Sequence, residues 1–283
     1  MRILYLHCFS GISGDMTVGA LVDAGADRQY VEKELNKLPI EPFSLEWKQV
    51  NKSGILALKF DVIPDSAQPP KHHRHYADIA EMIGKAGLSG RAAALSLAIF
   101  EKIGRAEAKI HGIPLERVHF HEVGAVDSIV DIVGTALAID SLQVDKVIAS
   151  PVALGTGNVW CDHGRYPVPA PATLEMMKGI PIQQSDLPQE LTTPTGAGII
   201  AGTAEGFSEG LPAMIIDSIG YGAGTRELPS QPNVLRAVVG TADWNKLQLI
   251  HTPGFNQIHD PAPHDHHHDH HHDHHHDHRS DNR

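Results

Sequence analysis

The C-terminal stretch at residues 264–278 limits most strongly how much of this 283-residue chain can fold. It reads HDHHHDHHHDHHHDH, with an aspartate at every fourth position, a period that an unbroken histidine tag lacks. The last ~25 residues contain almost no side chain that could be buried, and such segments remain disordered because burial cannot offset the entropy of ordering. The sequence therefore predicts a folded body that ends near Gly240, followed by a disordered histidine-rich tail.

The composition of the chain excludes several classes of protein. With 41% apolar and 20% charged residues, the body is ordinary globular material. The formal charge of -11 is spread along the chain without a Lys/Arg cluster, so we expect no nucleic-acid partner. The apolar run AAALSLAIF is far shorter than the ~20 residues that span a bilayer, so we expect no membrane insertion.

The cysteines and the N-terminus indicate the compartment. Two cysteines, Cys8 and Cys161, cannot build a disulfide framework. The N-terminal stretch is interrupted by His7, Ser10 and Asp15 too early for the apolar region of a signal peptide. These features predict a cytoplasmic protein with reduced thiols.

A proline-rich break, PDSAQPPK at residues 64–71, is the best internal boundary. The chain is long enough for one large domain or two small ones, at ~100–200 residues each. We divide it into an N-terminal α/β segment with a glycine-rich loop (1–63), a Pro/His-rich linker or loop (64–75), a main α/β body (76–240), and a linker with the His/Asp-rich tail (241–283).

Hydrophobic periodicity predicts an α+β (mixed α/β) fold, with a mixed sheet and packed helices. The run RILYL meets a glycine loop and then a helix ended by Gly25, and two strands flank Ser53-Gly54. Further helices are predicted at ATLEMMKG and TGAGIIAGTAEG, and further strands at VDKVIAS, PAMIIDSIG and NVLRAVVG. One strand alternates so as to bury Leu56, Leu58, Phe60 and Val62.

Two longer segments show helical spacing of apolar residues. In RAAALSLAIFEKIGRAEAKIHG the predicted buried stripe is Leu95, Ile99, Ile103, Ala106 and Ile110. In VDSIVDIVGTALAIDSL the predicted inward residues are Ile129, Ile132, Val133, Ala136 and Leu137.

The densest group of reactive side chains lies in VHFHEVGAVDSIVD. If this stretch begins as a strand, His119 and His121 project from one face, and Asp127 and Asp131 share a face of the following helix. With Glu122 they could converge on a divalent metal or a metal-bound phosphate, as catalytic residues. Alternatively, Asp127 is an N-cap and the histidines are only hydrogen-bonded structure.

The loop FSGISGDM lies between a strand and a helix, where backbone N–H groups and the helix dipole can bind an anion. It lacks the lysine of a Walker A loop, and Asp15 would repel phosphate unless a cation lay between them. N-capping by Ser13 or Asp15 is the alternative. The candidate nucleotide-binding residues here are Ser10, Gly11, Ser13, Gly14 and Asp15. Hydroxyls in ELTTPTGAGI could also touch a substrate or simply cap a helix: Thr192, Thr193 and Thr195.

Histidine is unusually abundant, and imidazole suits Zn, Cu, Fe and Ni. A cluster follows the proline break at His72, His73 and His75, and His163 lies in a Gly/Pro-rich loop beside Cys161. Eleven of the 21 histidines lie in the tail, which we expect to bind several ions weakly: His264, His266, His267, His268, His270, His271, His272, His274, His275, His276 and His278.

Four motifs, YLHCFSGISGDM, HFHEVGAVDSIVDIVG, TGNVWCDHGRYPVPAPAT and ELTTPTGAGI, together resemble the LarC family. These are nickel-insertion proteins that mature the nickel-pincer nucleotide cofactor of lactate racemase. The motifs occur in the family's order, cover most of residues 1–240, and are accompanied by a histidine-rich segment that is also typical of the family.

The resemblance implies a nickel chelatase, or cyclometallase, of the lyase class. Such a protein inserts Ni(II) into pyridinium bisthiocarboxylic acid mononucleotide in a reaction that consumes CTP and needs Mg(II) or Mn(II). Family members generally continue into a C-terminal domain associated with CTP. We therefore expect a C-terminal polypeptide and lactate racemase maturation proteins as partners, and activity that depends on that C-terminal part. A homo-oligomer is left open.

Two other functions compete with this interpretation. A nickel-storage protein or metallochaperone would explain the tail, although several glycine-rich polar loops in the body favour an enzyme. A metal-dependent phosphohydrolase is the third hypothesis, and it requires Asp15, His119, His121 and Asp127 to converge.

Overall fold

The computed structural model describes residues 1–65, 74–120, 123–161 and 164–242, and the elements named below lie in these ranges. The strands are β1 (Arg2–His7), β2 (Phe43–Lys52), β3 (Ile55–Pro64), β4 (Arg74–His75), β5 (His119–Phe120), β6 (Lys146–Ala149), β7 (Val152–Ala153), β8 (Asn158–Cys161), β9 (Gly164–Pro167), β10 (Ile182–Gln183), β11 (Gly206–Phe207), β12 (Ile215–Ala223) and β13 (Val234–Thr241). The helices are α1 (Gly14–Asp23), α2 (Arg28–Leu35), α3 (Tyr76–Lys85), α4 (Gly90–His111), α5 (Val126–Leu142), α6 (Pro171–Met176) and α7 (Pro194–Thr203).

A seven-stranded mixed sheet forms the centre of the fold, in the order β11-β6-β1-β13-β12-β3-β2. β1 pairs parallel with β6 and antiparallel with β13, which also pairs antiparallel with β12. The sheet therefore consists of two three-stranded groups that β13 joins. This arrangement confirms the predicted α+β fold with a mixed sheet and packed helices.

The β2–β3 hairpin forms one edge of the sheet. Its register runs from Phe43 opposite Pro64 to Lys52 opposite Ile55. Both turn residues have positive φ, 50° at Ser53 and 91° at Gly54, which is the type I′ geometry that matches the twist of paired strands. The strands predicted around this dipeptide are confirmed.

The main core lies between the sheet and α1, α4, α5 and α7. α5 is its centre, and all five residues predicted to face inward on this helix are buried. Other positions on α5, such as Val130 and Ile139, are also fully buried, so the helix is covered on almost every side. Within the described ranges no helix is long and apolar enough to span a bilayer.

Two predicted core residues are exposed. Ile110 is 42% exposed because it lies in the last turn of α4, and the buried face of that helix is carried by residues such as Ala92, Ser96 and Ile99. Leu56 is 57% exposed because it lies between the hairpin turn and Leu58, where β3 pairs with β12. In both cases the apolar pattern of the sequence extends past the part of the helix or strand that the core covers.

Glycines allow α1 to lie directly on β12. A Cβ at Gly222 would lie 1.8 Å from the carbonyl oxygen of Met16, and a Cβ at Gly220 would lie 2.2 Å from the backbone nitrogen of Ala24. The backbones of helix and strand are therefore too close for any side chain between them. This contact places the N-terminus of α1 beside β3 and α5.

Gly222→Ala should lower the free energy of unfolding by about 1–3 kcal/mol or more, because the added methyl group forces α1 off the strand. The matched control is Gly84→Ala in α3, where a Cβ meets no atom within 4 Å. The control should raise the free energy of unfolding by ~0.5–1 kcal/mol, because alanine is the better helix former. Urea denaturation measures both, and equal changes would contradict the backbone contact.

Candidate functional site

A cavity of about 330 Å³ opens at the N-terminus of α1. Its walls come from β3, from the start of α5 and from the start of α7, so it joins three motifs that are distant in the sequence. Its volume lies in the range of small-molecule sites. The lining residues are Ser13, Gly14, Asp15, Lys59, Phe60, Asp61, Val62, Val123, Asp127, Ser128, Asp131, Glu190, Thr193, Pro194, Thr195 and Thr225. We call this cavity the acidic pocket.

Asp131 of α5 binds the N-terminus of α1. Its carboxylate accepts a hydrogen bond from the backbone N–H of Asp15, and a Cβ at Gly14 would lie 2.5 Å from its Oδ2. Ser13 occupies the N-cap position, but its side chain makes no capping bond and instead donates to the Asp15 carboxylate. A carboxylate from another helix thus satisfies the orphan N–H group that a local cap usually takes.

Lys59 lies between two carboxylates of the acidic pocket. Its Nζ is 2.6 Å from Oδ2 of Asp15 and 2.8 Å from Oδ1 of Asp61. Burial alone would depress the pKa of Lys59, but the two carboxylates outweigh it and raise that pKa. The lining also carries the carboxyls of Asp127, Asp131 and Glu190, so Lys59 is the single ammonium among five acidic side chains.

Asp131 contributes a carboxyl to the lining of the acidic pocket. Burial, followed by the nearby charges of Asp15 and Asp127, raises the pKa of Asp131 well above its ordinary value. Its Oδ1 is buried and has no hydrogen-bond partner in the described part of the chain. A buried, unpartnered carboxylate oxygen beside other carboxylates favours a cation as its partner.

The donor set suits Mg(II) or Mn(II), which prefer carboxylate oxygens. Among the described residues, no group of three or more His, Cys, Asp or Glu side chains is arranged to hold a metal ion. This does not conflict with a magnesium site, because Mg(II) usually keeps several waters and binds one or two carboxylates together with phosphate oxygens. Asp131 and Asp127, both on α5, are lining carboxylates that could hold such a cation.

Several of the candidate nucleotide-binding residues hold the loops and do not line the acidic pocket. Ser10 donates to the carbonyl of Pro232 at 2.7 Å, and Thr192 donates to the carbonyl of Ala153 at 2.7 Å. Gly11 has φ +80° and donates its N–H to the carbonyl of Cys8 at 2.9 Å.

The other candidate nucleotide-binding residues, which do line the pocket, are Ser13, Gly14, Asp15, Thr193 and Thr195. Thr193 also caps α7, since its Oγ1 accepts from the N–H of Gly196 at 3.1 Å.

Asp127 is not the N-cap of α5. Ala125 holds that position, and Asp127 lies in the first turn, where its carboxylate accepts from the N–H of Ser128 at 2.8 Å. The capping alternative for Asp127 is therefore wrong. Its carboxylate lies near the positive end of the helix dipole and faces the acidic pocket.

Only two of the candidate histidines, His75 and His119, lie in the described ranges. His119 is in β5 and pairs with His75 in β4, and neither lines the acidic pocket. The remaining candidates lie outside the described residues: His72, His73, His121, Glu122, His163 and the eleven histidines of the tail.

Five polar lining residues were not predicted from the sequence: Lys59, Asp61, Ser128, Glu190 and Thr225. Lys59 and Asp61 alternate with Phe60 and Val62 along β3, a pattern that ordinarily marks the solvent face of a half-buried strand. Lys59 lies between two aspartates in the folded chain, Asp15 and Asp61. Only Asp61 is close to it in the sequence, so the sequence shows half of this arrangement.

Asp131→Asn should stabilise the metal-free protein at high pH. Because the folded-state pKa of Asp131 is raised, ionising its carboxyl costs folding free energy once the pH exceeds the unfolded value of ~3.9. Asparagine can still accept from the N–H of Asp15. We expect a gain at pH 8 that shrinks to nothing as the pH falls to ~3.9.

Thermal unfolding in EDTA across this pH range measures the gain, with the exposed Asp186→Asn as the matched control. A gain that does not depend on pH would contradict a raised pKa of the Asp131 carboxyl.

Comparison with known proteins places the chain in a family. The family model described as nickel insertion protein matches residues 4–278. A protein of Geobacillus kaustophilus (strain HTA426), named pyridinium-3,5-bisthiocarboxylic acid mononucleotide nickel insertion protein, is 56% identical over 247 residues, 85% of this chain and 60% of its own length. A protein of the same name from Staphylococcus saprophyticus is 45% identical over 263 residues, 92% of this chain and 65% of its own length.

The chain thus spans about three fifths of the length of these relatives, 60% and 65% respectively. No solved structure matches it significantly. The resemblance read from the four motifs is confirmed, and the chain belongs to the nickel insertion protein family, LarC.

Proposed function

We propose that this chain takes part in the CTP-dependent insertion of Ni(II) into pyridinium bisthiocarboxylic acid mononucleotide, which forms the nickel-pincer cofactor of lactate racemase. The observation that carries the proposal is the 56% identity to a relative named for nickel insertion into that mononucleotide. In this proposal Ni(II) is a substrate, and the activity is that of a chelatase.

The charge of the acidic pocket supports a metal-bridged nucleotide. Five carboxyl side chains and one ammonium line it, so a phosphate group would be repelled unless a divalent cation lay between them. Bound Mg(II) or Mn(II) would supply that positive charge. Asp127 and Asp131 hold the cation, while Lys59 keeps Asp15 and Asp61 neutralised and in place.

Hydroxyl groups in the lining of the acidic pocket can orient the nucleotide. Ser13, Thr193 and Thr195 line the acidic pocket with side chains that both donate and accept hydrogen bonds. Phosphate and ribose oxygens are the groups that such hydroxyls bind. We assign these three residues to the substrate, with His119, His121 and Glu122 handling nickel.

The same proposal includes CTP and a second polypeptide. The acidic pocket has one basic side chain, which is too few for a triphosphate without several cations. We propose that CTP binds to a polypeptide that corresponds to the remaining length of the relatives, and that insertion needs both chains. The histidine-rich tail supplies nickel when free nickel is scarce.

The direct test is mass spectrometry of the thiolated mononucleotide after incubation with Ni(II), CTP and Mg(II), with and without that second polypeptide. We expect a nickel adduct only when both chains are present. The adduct should fall by about 10- to 100-fold in Asp131→Asn, because a metal-binding carboxylate is lost. Asp186→Asn is the control and should match the wild type.

Two results would contradict the proposal. Release of phosphate from simple nucleotides without nickel would indicate a phosphohydrolase, and nickel binding without any adduct in the presence of both chains would indicate storage.

Mg(II) should raise the thermal stability of the full chain by relieving repulsion at Asp131. A ligand that binds only the folded state stabilises it by ~2.7 kcal/mol at one hundred times its dissociation constant. Asp131→Asn should lose most of this effect, while Asp186→Asn should keep it. Differential scanning fluorimetry against Mg(II) concentration measures the shift, and an unchanged shift in Asp131→Asn would remove Asp131 from the cation site.

A further inference from the structure

His75 and His119 face each other across a short antiparallel ladder between β4 and β5. The N–H of Tyr76 donates to the carbonyl of Val118 at 3.0 Å, so this hydrogen bond flanks the histidine pair and does not join it. Pairs of this kind bring the two Cα atoms to ~4.5 Å and hold the side chains closest together. The imidazole rings are stacked, with centroids 4.8 Å apart and planes inclined by 19°.

Contacts of the neighbouring residues hold this ladder in place although it is only two residues long. The guanidinium of Arg74, beside His75, forms an ion pair with Glu41 and donates to the carbonyl of Gly124 at 2.6 Å. Phe120, beside His119, is buried against Phe100. Both strands are therefore held in place next to the histidines. His75 is exposed and His119 is half-buried.

The chain path keeps the pair near the acidic pocket. Val123 lines the pocket and follows His119 by four residues, a length that spans at most about 14 Å. The histidine pair therefore lies on the chain segment that leads into the wall of the acidic pocket. The two places differ in their donors, nitrogen at the pair and oxygen in the pocket.

We propose that His75 and His119 together bind Ni(II) and hold it at the edge of the acidic pocket before insertion, a role that rests on the proposed function. Nickel prefers imidazole nitrogen, whereas Mg(II) and Mn(II) prefer carboxylate oxygen. The two donor sets thus keep the metal to be inserted apart from the metal that bridges the nucleotide. The coordination positions that the two imidazoles do not fill can take exchangeable ligands such as water, which permits the ligand exchange that transfer requires.

The test is calorimetric titration with Ni(II) alone, without nucleotide. It uses a full-length chain in which the eleven histidines at residues 264–278 are serine, so that the tail contributes no signal. In this background His75→Ala and His119→Ala should each weaken nickel binding by about tenfold or more. The double variant should lose little beyond either single variant, because both imidazoles serve one ion.

His75→Phe distinguishes a ligand from a packing residue. Phenylalanine keeps an aromatic ring stacked on His119 but offers no nitrogen. If the pair binds nickel, His75→Phe binds it as weakly as His75→Ala while its melting temperature stays that of the parent. If His75→Phe binds nickel as well as the parent, the histidines serve packing and the proposal is overturned.

The control variant is His111→Ala, which removes an imidazole next to Glu107 in the last turn of α4. It should leave nickel binding unchanged, and a loss equal to that of His75→Ala would overturn the assignment to the pair. Because the titration contains no substrate, it separates this site from the insertion reaction. Intact nickel binding without adduct formation contradicts only the proposed function, and adduct formation that His75→Phe leaves unchanged at limiting Ni(II) contradicts only this site.

Discussion

The backbone contact between α1 and β12 determines where the groups of the acidic pocket lie. Gly220 and Gly222 let the helix rest on the strand without an intervening side chain. The first turn of α1 is therefore held close enough for Asp15 to reach Lys59 and for its N–H to reach Asp131. Any side chain in that interface would lift the helix and separate the lysine, the two aspartates and the helix terminus together.

The acidic pocket shows a conflict between stability and binding. Lys59 and the N-terminus of α1 offset part of the charge of Asp15, Asp61 and Asp131, whereas burial and the neighbouring carboxylates raise the pKa of Asp131. A pocket that was fully neutralised by the protein would be more stable and would have no affinity for a cation. The residual charge is the feature that a divalent metal can use.

Sequence reasoning succeeded where a feature is local. The helical period of α5 and the strand, loop and helix at the N-terminus follow from the spacing of apolar residues, and so does the turn at Ser53-Gly54. Four motifs pointed to the family because each is a continuous stretch. The charge of the pocket could not be predicted in this way. Lys59 pairs with Asp15, which lies 44 residues away and approaches it only in the folded chain. The pairing of His75 with His119 was likewise hidden, since a ladder of two residues leaves no periodic pattern.

The position of β13 has a consequence for how the chain can be made. This strand is the last of the described chain and yet lies in the middle of the sheet, between β1 and β12. While the ribosome is still synthesising residues before Val234, the two halves of the sheet lack the strand that joins them. Contacts so distant in sequence form slowly, because the loop between them must close first. Every residue that lines the acidic pocket precedes β13, so the chain carries all of these side chains before it carries the strand that joins the two halves of the sheet.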